Sequence, residues 1–301
     1  MYEDFGTIIN KGFHSWIRNL NICIPFILDT LFTVVLLILF FIMIVFLIVI
    51  SNSGPISDPA SLSDTELLSM VSKGLTGNIL LSVIMIVVFV LIGIFIHSFF
   101  SAGAIGMAKK ASETGDTVLS DMIVSGSKNA FRLFLTILLM GLLLLVGIVF
   151  IVPGALTIGD LRIIFENPNA LPPTGAIVLA LGIISWTLYV TILSIVLSFT
   201  SYALVIDELE PLEALRAGFR FFMENKWDVF FVWVISMGLT IINGSVGSYD
   251  GNSILVSALT SLIPIIIIQP LITVLFTRLY VSRKGKKLYD PVDLLSVPDR
   301  F

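Results

Sequence analysis

Charge is scarce in this sequence. Asp, Glu, Lys and Arg supply 13% of its 301 residues, where soluble domains carry about 25%. A soluble fold of this make-up would need a core too large for its polar shell, so the scarcity argues against that class. Cysteine is nearly missing: Cys23 stands alone, which excludes an intrachain disulfide and a cysteine-rich metal site. A buried, inert thiol at the start of an apolar run is its plain reading; lipidation is the alternative. Histidine occurs only at His14 and His97. The His-Glu-x-x-His zinc pattern, the Gly-x-Ser-x-Gly elbow and the Gly-x-x-x-x-Gly-Lys phosphate loop are all absent. Gly244-Ser245-Val246-Gly247 is like a nucleophile loop only loosely. No enzyme activity, cofactor or metal is therefore expected. MYEDFG has no basic n-region, so the first apolar run is expected to stay as a signal-anchor.

Apolar residues are abundant, at 57% of the chain, with a mean hydropathy of +1.05. A helix needs about 20 of them in succession to cross the hydrocarbon core. Six runs meet or approach that length, at 22–50, 79–108, 133–152, 175–206, 227–243 and 254–281. They predict an all-α integral membrane protein with six transmembrane helices in one polytopic domain. The second, fourth and sixth runs exceed a perpendicular crossing and should tilt or project. The fifth is short and is followed by Gly244, Gly247 and Gly251, so a re-entrant segment is its alternative. Fifteen of the seventeen Lys and Arg residues fall on the side of both termini, leaving Lys73 and Arg162 opposite. That asymmetry predicts cytoplasmic termini in the cell membrane and an even number of spans.

The terminus-side segments share a pattern. With Gly12, Gly126 and Gly218 aligned, apolar residues recur four and three before and four after, and His14, Lys128 and Arg220 lie two after. Offsets of −4, −3, 0 and +4 share one helical face and +2 lies across it. The chain then reads as three units of interfacial amphipathic helix plus span pair, at 1–108, 116–206 and 210–282, with a basic tail at 283–301. Chance amphipathicity of loops between spans is the competing account. The third unit is clearest, DELEPLEALRAGFR. Pro211 suits a first helical position, and Leu212, Leu215, Phe219 and Phe222 form an apolar stripe beside Gly218, suited to the headgroup plane. Arg220 and Glu224 form an i, i+4 pair opposite.

On the other side, Ser63-Asp64-Thr65-Glu66 fits a capping box opening a short helix. The proline-rich stretch 153–174 is expected to form a compact cap. Asn243-Gly244-Ser245 matches a glycosylation sequon, best explained by chance.

Ionisable groups inside spans are functional candidates, because a mid-membrane charge costs roughly 2.5–3.5 kcal/mol to insert. Asp29, His97, Asp207, Asp228 and the amide Gln269 are the candidates, expected to line one cavity open to the cytoplasm. Packed polar contacts or snorkelling groups are the alternative. Pro264 and Pro270 free backbone carbonyls in the sixth span, which then need other donors, and broken helices of this kind form transporter sites. Arg283, Lys284, Lys286 and Lys287 are expected to attract anionic lipid headgroups, beside their role as a topology signal; no nucleic-acid partner is expected.

The fourth-to-fifth transition, SYALVIDELEPLEALRAGFRFFMENKWDVFFVWVI, carries Asp207, Glu213-Ala214-Leu215, Gly218-Phe219 and Asn225. In these residues it resembles an uncharacterised archaeal six-span family related to the membrane domain of glycerophosphoryl diester phosphodiesterases. The resemblance implies a six-span fold and no catalytic residues, and the soluble phosphodiesterase domain has no counterpart here. The reading is a membrane accessory, lipid-associated or scaffold component without enzyme activity of its own, with a small-solute or lipid transporter as the alternative.

Overall fold

The computed structural model describes residues 3–51, 69, 77, 79–160, 172–249 and 260–289. Among them every regular element is helical. The helices are α1 (Phe5–Arg18), α2 (Ile24–Ser51), α3 (Ile79–Thr114), α4 (Leu119–Val146), α5 (Val152–Ile158), α6 (Pro173–Leu197), α7 (Thr200–Asp207), α8 (Pro211–Glu224), α9 (Lys226–Tyr249) and α10 (Gln269–Arg283). A π-helical turn, Pro264–Ile268, leads into α10. Six stretches are long and apolar enough to cross a membrane: Leu20–Leu47, Ile79–Thr114, Leu119–Phe150, Pro173–Asp207, Lys226–Ser245 and Thr260–Arg283. The six expected spans are thus present, and the fifth runs as one continuous helix. The capping-box helix expected at 63–66 lies outside the described residues.

The sixth span is the central pillar. Half of its apolar window is buried inside the protein, against 6–17% for the other five. Those five turn large apolar side chains such as Leu31, Phe41, Ile84, Leu142 and Ile184 outward. Lipid is the solvent that such a surface suits. Helices in lipid gain no hydrophobic drive from one another and associate through close packing at small residues. The α3–α4 hairpin does this with Ala102, Gly103 and Gly106 against Met122 and Ser125, and the Ser125 hydroxyl donates to the Ala102 carbonyl at 2.8 Å.

At the terminus end a dry aromatic cluster fixes α7, α8 and α10 together. Phe199 lies between Phe221 and Phe276, with centroids at 4.6 and 4.8 Å, and Tyr280 lies tilted against Phe221 at 4.8 Å. The buried face of α8 is Ala214, Gly218 and Phe221, spaced i, i+4, i+7. Leu212, Phe219 and Met223 face outward, with Leu215 and Phe222 half-buried between the two faces. The apolar stripe read from sequence is therefore the outward, lipid-facing side, and a second stripe of small residues holds α8 to the protein.

All three aligned glycines sit in close contacts. A Cβ on Gly12 would meet Leu275 at 2.7 Å, on Gly126 the Phe99 carbonyl at 2.9 Å, and on Gly218 Thr200 at 2.5 Å. The units nevertheless differ. In the first and third, the interfacial helix ends at Asn19 and Asn225, seven residues past the glycine, where φ and ψ leave the helical region. In the second, Leu133 stands at that position and α4 continues unbroken into its span. A separate middle interfacial helix, expected from the alignment, is not formed.

Candidate functional site

The sixth span is broken by its prolines, and each break is repaired from another helix. Pro264 has no N–H for the Thr260 carbonyl four residues back; the Asn243 side-chain amide donates to that oxygen at 3.0 Å. Pro270 leaves the Ile266 carbonyl in the same position, and the Cys23 thiol donates to it at 2.9 Å. Cys23 is buried, as read from sequence, and its S–H caps a carbonyl. Asn243 lies within α9, so the glycosylation pattern there is a helix-packing residue.

Against this kinked pillar lies a cavity of about 520 Å³. One face of α2 supplies Phe26, Asp29, Thr30 and Thr33, spaced i, i+3, i+4, i+7. One face of α9 supplies Ser236, Thr240 and Asn243. The π turn and α10 supply Pro264, Ile268, Gln269 and Thr273, and α3 supplies His97. The extra residue per turn in a π segment rotates the lining face of the helix, the kind of local departure found at functional sites.

Asp29 and His97 meet across α2 and α3, with Nδ1 of the imidazole 2.8 Å from Oδ2. An ionised carboxylate only accepts, so Nδ1 donates. The Ser101 hydroxyl, one turn along α3, lies in hydrogen-bond reach of Nε2 at 3.2 Å. Oδ1 of Asp29 is buried without a protein partner. His97 also lines a second cavity, of about 280 Å³, with Phe26, Ser101, Ser201, Tyr202 and Thr273. Along α3, Ser101, Ala104 and Ile105 lie on the terminus side of His97. Along α2 and α9, the large cavity extends through Thr33 and Asn243 toward the other side. The two cavities are stacked along the bundle, with Phe26, His97 and Thr273 common to both.

The structure therefore gathers Asp29, His97 and Gln269 and leaves Asp207 and Asp228 out. Those two belong to an ionic belt at the terminus end. Asp207 accepts from the Tyr280 hydroxyl at 2.7 Å and pairs with Lys286. Asp228 accepts from Arg283 at 2.6 Å. The expectation of one shared cavity fails for them because α7 and α9 carry them level with the basic end of α10. The larger cavity also extends away from the terminus side, not toward it as expected. The same belt changes the reading of the basic tail. Arg283 and Lys286 are engaged by carboxylates, while Lys284 and Lys287 are exposed.

Sequence reasoning missed Glu3. It makes a two-pronged pair with Arg278, at 2.9 and 2.7 Å, with both side chains buried. Lys11 adds a third contact at 3.3 Å. An arginine inside an apolar run was the signal for a buried acidic partner, but nothing in the run says where along the chain that partner lies. Glu208, just past the end of the fourth span, has its carboxyl held below the usual range by the Lys128 ammonium beside it.

A family model described as Domain of unknown function (DUF7847) matches residues 67–282. The match takes in His97 and Gln269 and begins after Phe26 and Asp29. It makes no connection to glycerophosphoryl diester phosphodiesterases or to archaea. No curated protein and no solved structure matches the chain.

Proposed function

The chain belongs to the DUF7847 family, a membership that brings no activity with it, and from the cavities we propose a multi-pass membrane transporter of small polar solutes. One observation carries the reading: two cavities, apolar for the most part but each carrying hydroxyl groups and the His97 imidazole, are stacked on either side of His97, with Phe26, His97 and Thr273 between them. Intramembrane ionisable groups are costly to insert and are found where they serve a pathway. A helix broken at mid-membrane, with its carbonyls held by neighbours, is a recurrent way to build such a site. The size of the larger cavity falls within the 300–1,000 Å³ usual for small ligands. The excess of Lys and Arg on the terminus side supports cytoplasmic termini in the cell membrane. The larger cavity then opens toward the outside and the smaller toward the cytoplasm.

A second reading, a non-enzymatic accessory or scaffold protein associated with anionic lipid, is favoured by the exposed Lys284 and Lys287 at the terminus end. Hydroxyl-radical footprinting in nanodiscs separates the two. Water-filled cavities expose Phe26 to oxidation, whereas Phe199, 1% exposed in the dry cluster, serves as the unreactive reference. Modification of Phe26 at least several-fold faster than Phe199 supports transport. Equal rates mean dry, packed helices and reject it.

A further inference from the structure

We infer that the larger cavity is a site for a small organic ammonium ion, an inference that rests on the solute-pathway reading. Asp29 is the carboxylate of the lining, held by His97 on one side, and no Lys or Arg lines the cavity among the described residues. Asp29 is only half used. His97 takes Oδ2, and Oδ1 is left buried without a protein partner. A carboxylate oxygen in a low-dielectric site needs a donor or a cation, and a neutral solute lacking either would leave it unsatisfied.

The remaining wall points to an organic cation over a bare metal ion. Among the described residues no three His, Cys, Asp or Glu side chains gather to hold a metal. The volume, about 520 Å³, far exceeds a dehydrated ion. The lining alternates hydroxyl and amide groups (Thr30, Thr240, Gln269) with apolar ones, including the Phe26 ring and Ile268. That mixture suits the alkyl surface of an ammonium, and an aromatic face adds cation–π attraction. An anionic solute of the same size is repelled by Asp29, and an uncharged one offers it at most a neutral hydrogen bond, weaker than a charge-assisted contact.

The probe is choline, with 3,3-dimethyl-1-butanol as its uncharged isostere, measured by equilibrium dialysis against the full chain in nanodiscs. Methylammonium and tetramethylammonium complete the series. The expected result is saturable binding of at least one ammonium, one per chain, with the isostere at least tenfold weaker. Asp29→Asn should weaken ammonium binding tenfold or more. Gln269→Glu, which adds a second carboxylate to the same wall, should tighten it. The inference is overturned if no member of the series saturates at millimolar concentration, if choline and its isostere bind alike, or if Asp29→Asn binds as the natural chain does. Footprinting at Phe26 is independent of solute charge. Fast oxidation there with no ammonium binding removes the substrate class and leaves the pathway standing.

Discussion

Replacing Glu3 by Gln tests how the N-terminal segment is held to the central helix. The pair is buried at both ends, with side-chain exposures of 3% for Arg278 and 6% for Glu3. Its two hydrogen bonds, 2.9 and 2.7 Å, are the charge-assisted, bidentate kind. Breaking a buried pair costs about 3–5 kcal/mol because one charge is left without its partner. Gln keeps one acceptor oxygen and Lys11 lies partly in solvent, so the expected loss sits at the lower end, about 3 kcal/mol. The assay is reversible unfolding in mixed micelles, followed by circular dichroism. The double variant Glu3→Gln/Arg278→Met removes the stranded charge as well and should come within about 1 kcal/mol of the natural chain. A single-variant loss below about 0.5 kcal/mol, the scale of a solvated surface pair, would refute the reasoning. So would a double variant no better than the single.

Two further outcomes are expected. Gly218→Ala places a Cβ 2.5 Å from the Thr200 hydroxyl oxygen and 2.9 Å from its Cα. Overpacking of about 1–3 kcal/mol should outweigh the helix propensity of about 1 kcal/mol that Ala gains over Gly. Gly141→Ala, with nothing within 4 Å, should be neutral or stabilising in the same melt; equal behaviour of the two contradicts the packing. The Lys128–Glu208 pair is half exposed at both ends. Because Lys128 lowers the folded carboxyl below its unfolded value, the pair contributes above the ordinary carboxylate range, and the contribution is lost as pH falls through the folded value. Lys128→Gln should cost no more than about 0.5 kcal/mol at pH 7 and nothing at pH 3; a cost that persists at pH 3 removes the ionic explanation.

Much of the fold is written in hydropathy alone, because a bilayer demands about 20 apolar residues per crossing and six runs supply them. The third interfacial helix was legible for the same kind of reason, with Pro211 opening α8. Its two faces were not told apart, since Leu212 and Phe219 are as apolar as any core residue and composition does not distinguish lipid from protein as the covering. Local pattern also fails at Leu133. The shared glycine suggested a separate middle interfacial helix, but the helix end is set by an Asn seven residues on, present at 19 and 225 and missing at 133. Of the five polar candidates, three converge because their helices pack around the kinked sixth span. Asp207 and Asp228 are separated from them by contacts with Tyr280, Lys286 and Arg283 that no spacing in the chain encodes. The proline breaks were foreseen; that Asn243 and Cys23 fill them follows only from the tertiary arrangement.

The central claim is that the cavities on either side of His97 open to opposite faces of the membrane. Single cysteines at Thr240 and Ser201, introduced with Cys23→Ser to keep a donor at the Ile266 carbonyl, measure this directly in sealed, oriented vesicles. A membrane-impermeant thiol reagent should label the cysteine at 240 from the side opposite the termini and the cysteine at 201 from the terminus side. Labelling of both from one side, or of neither from either side, contradicts the account.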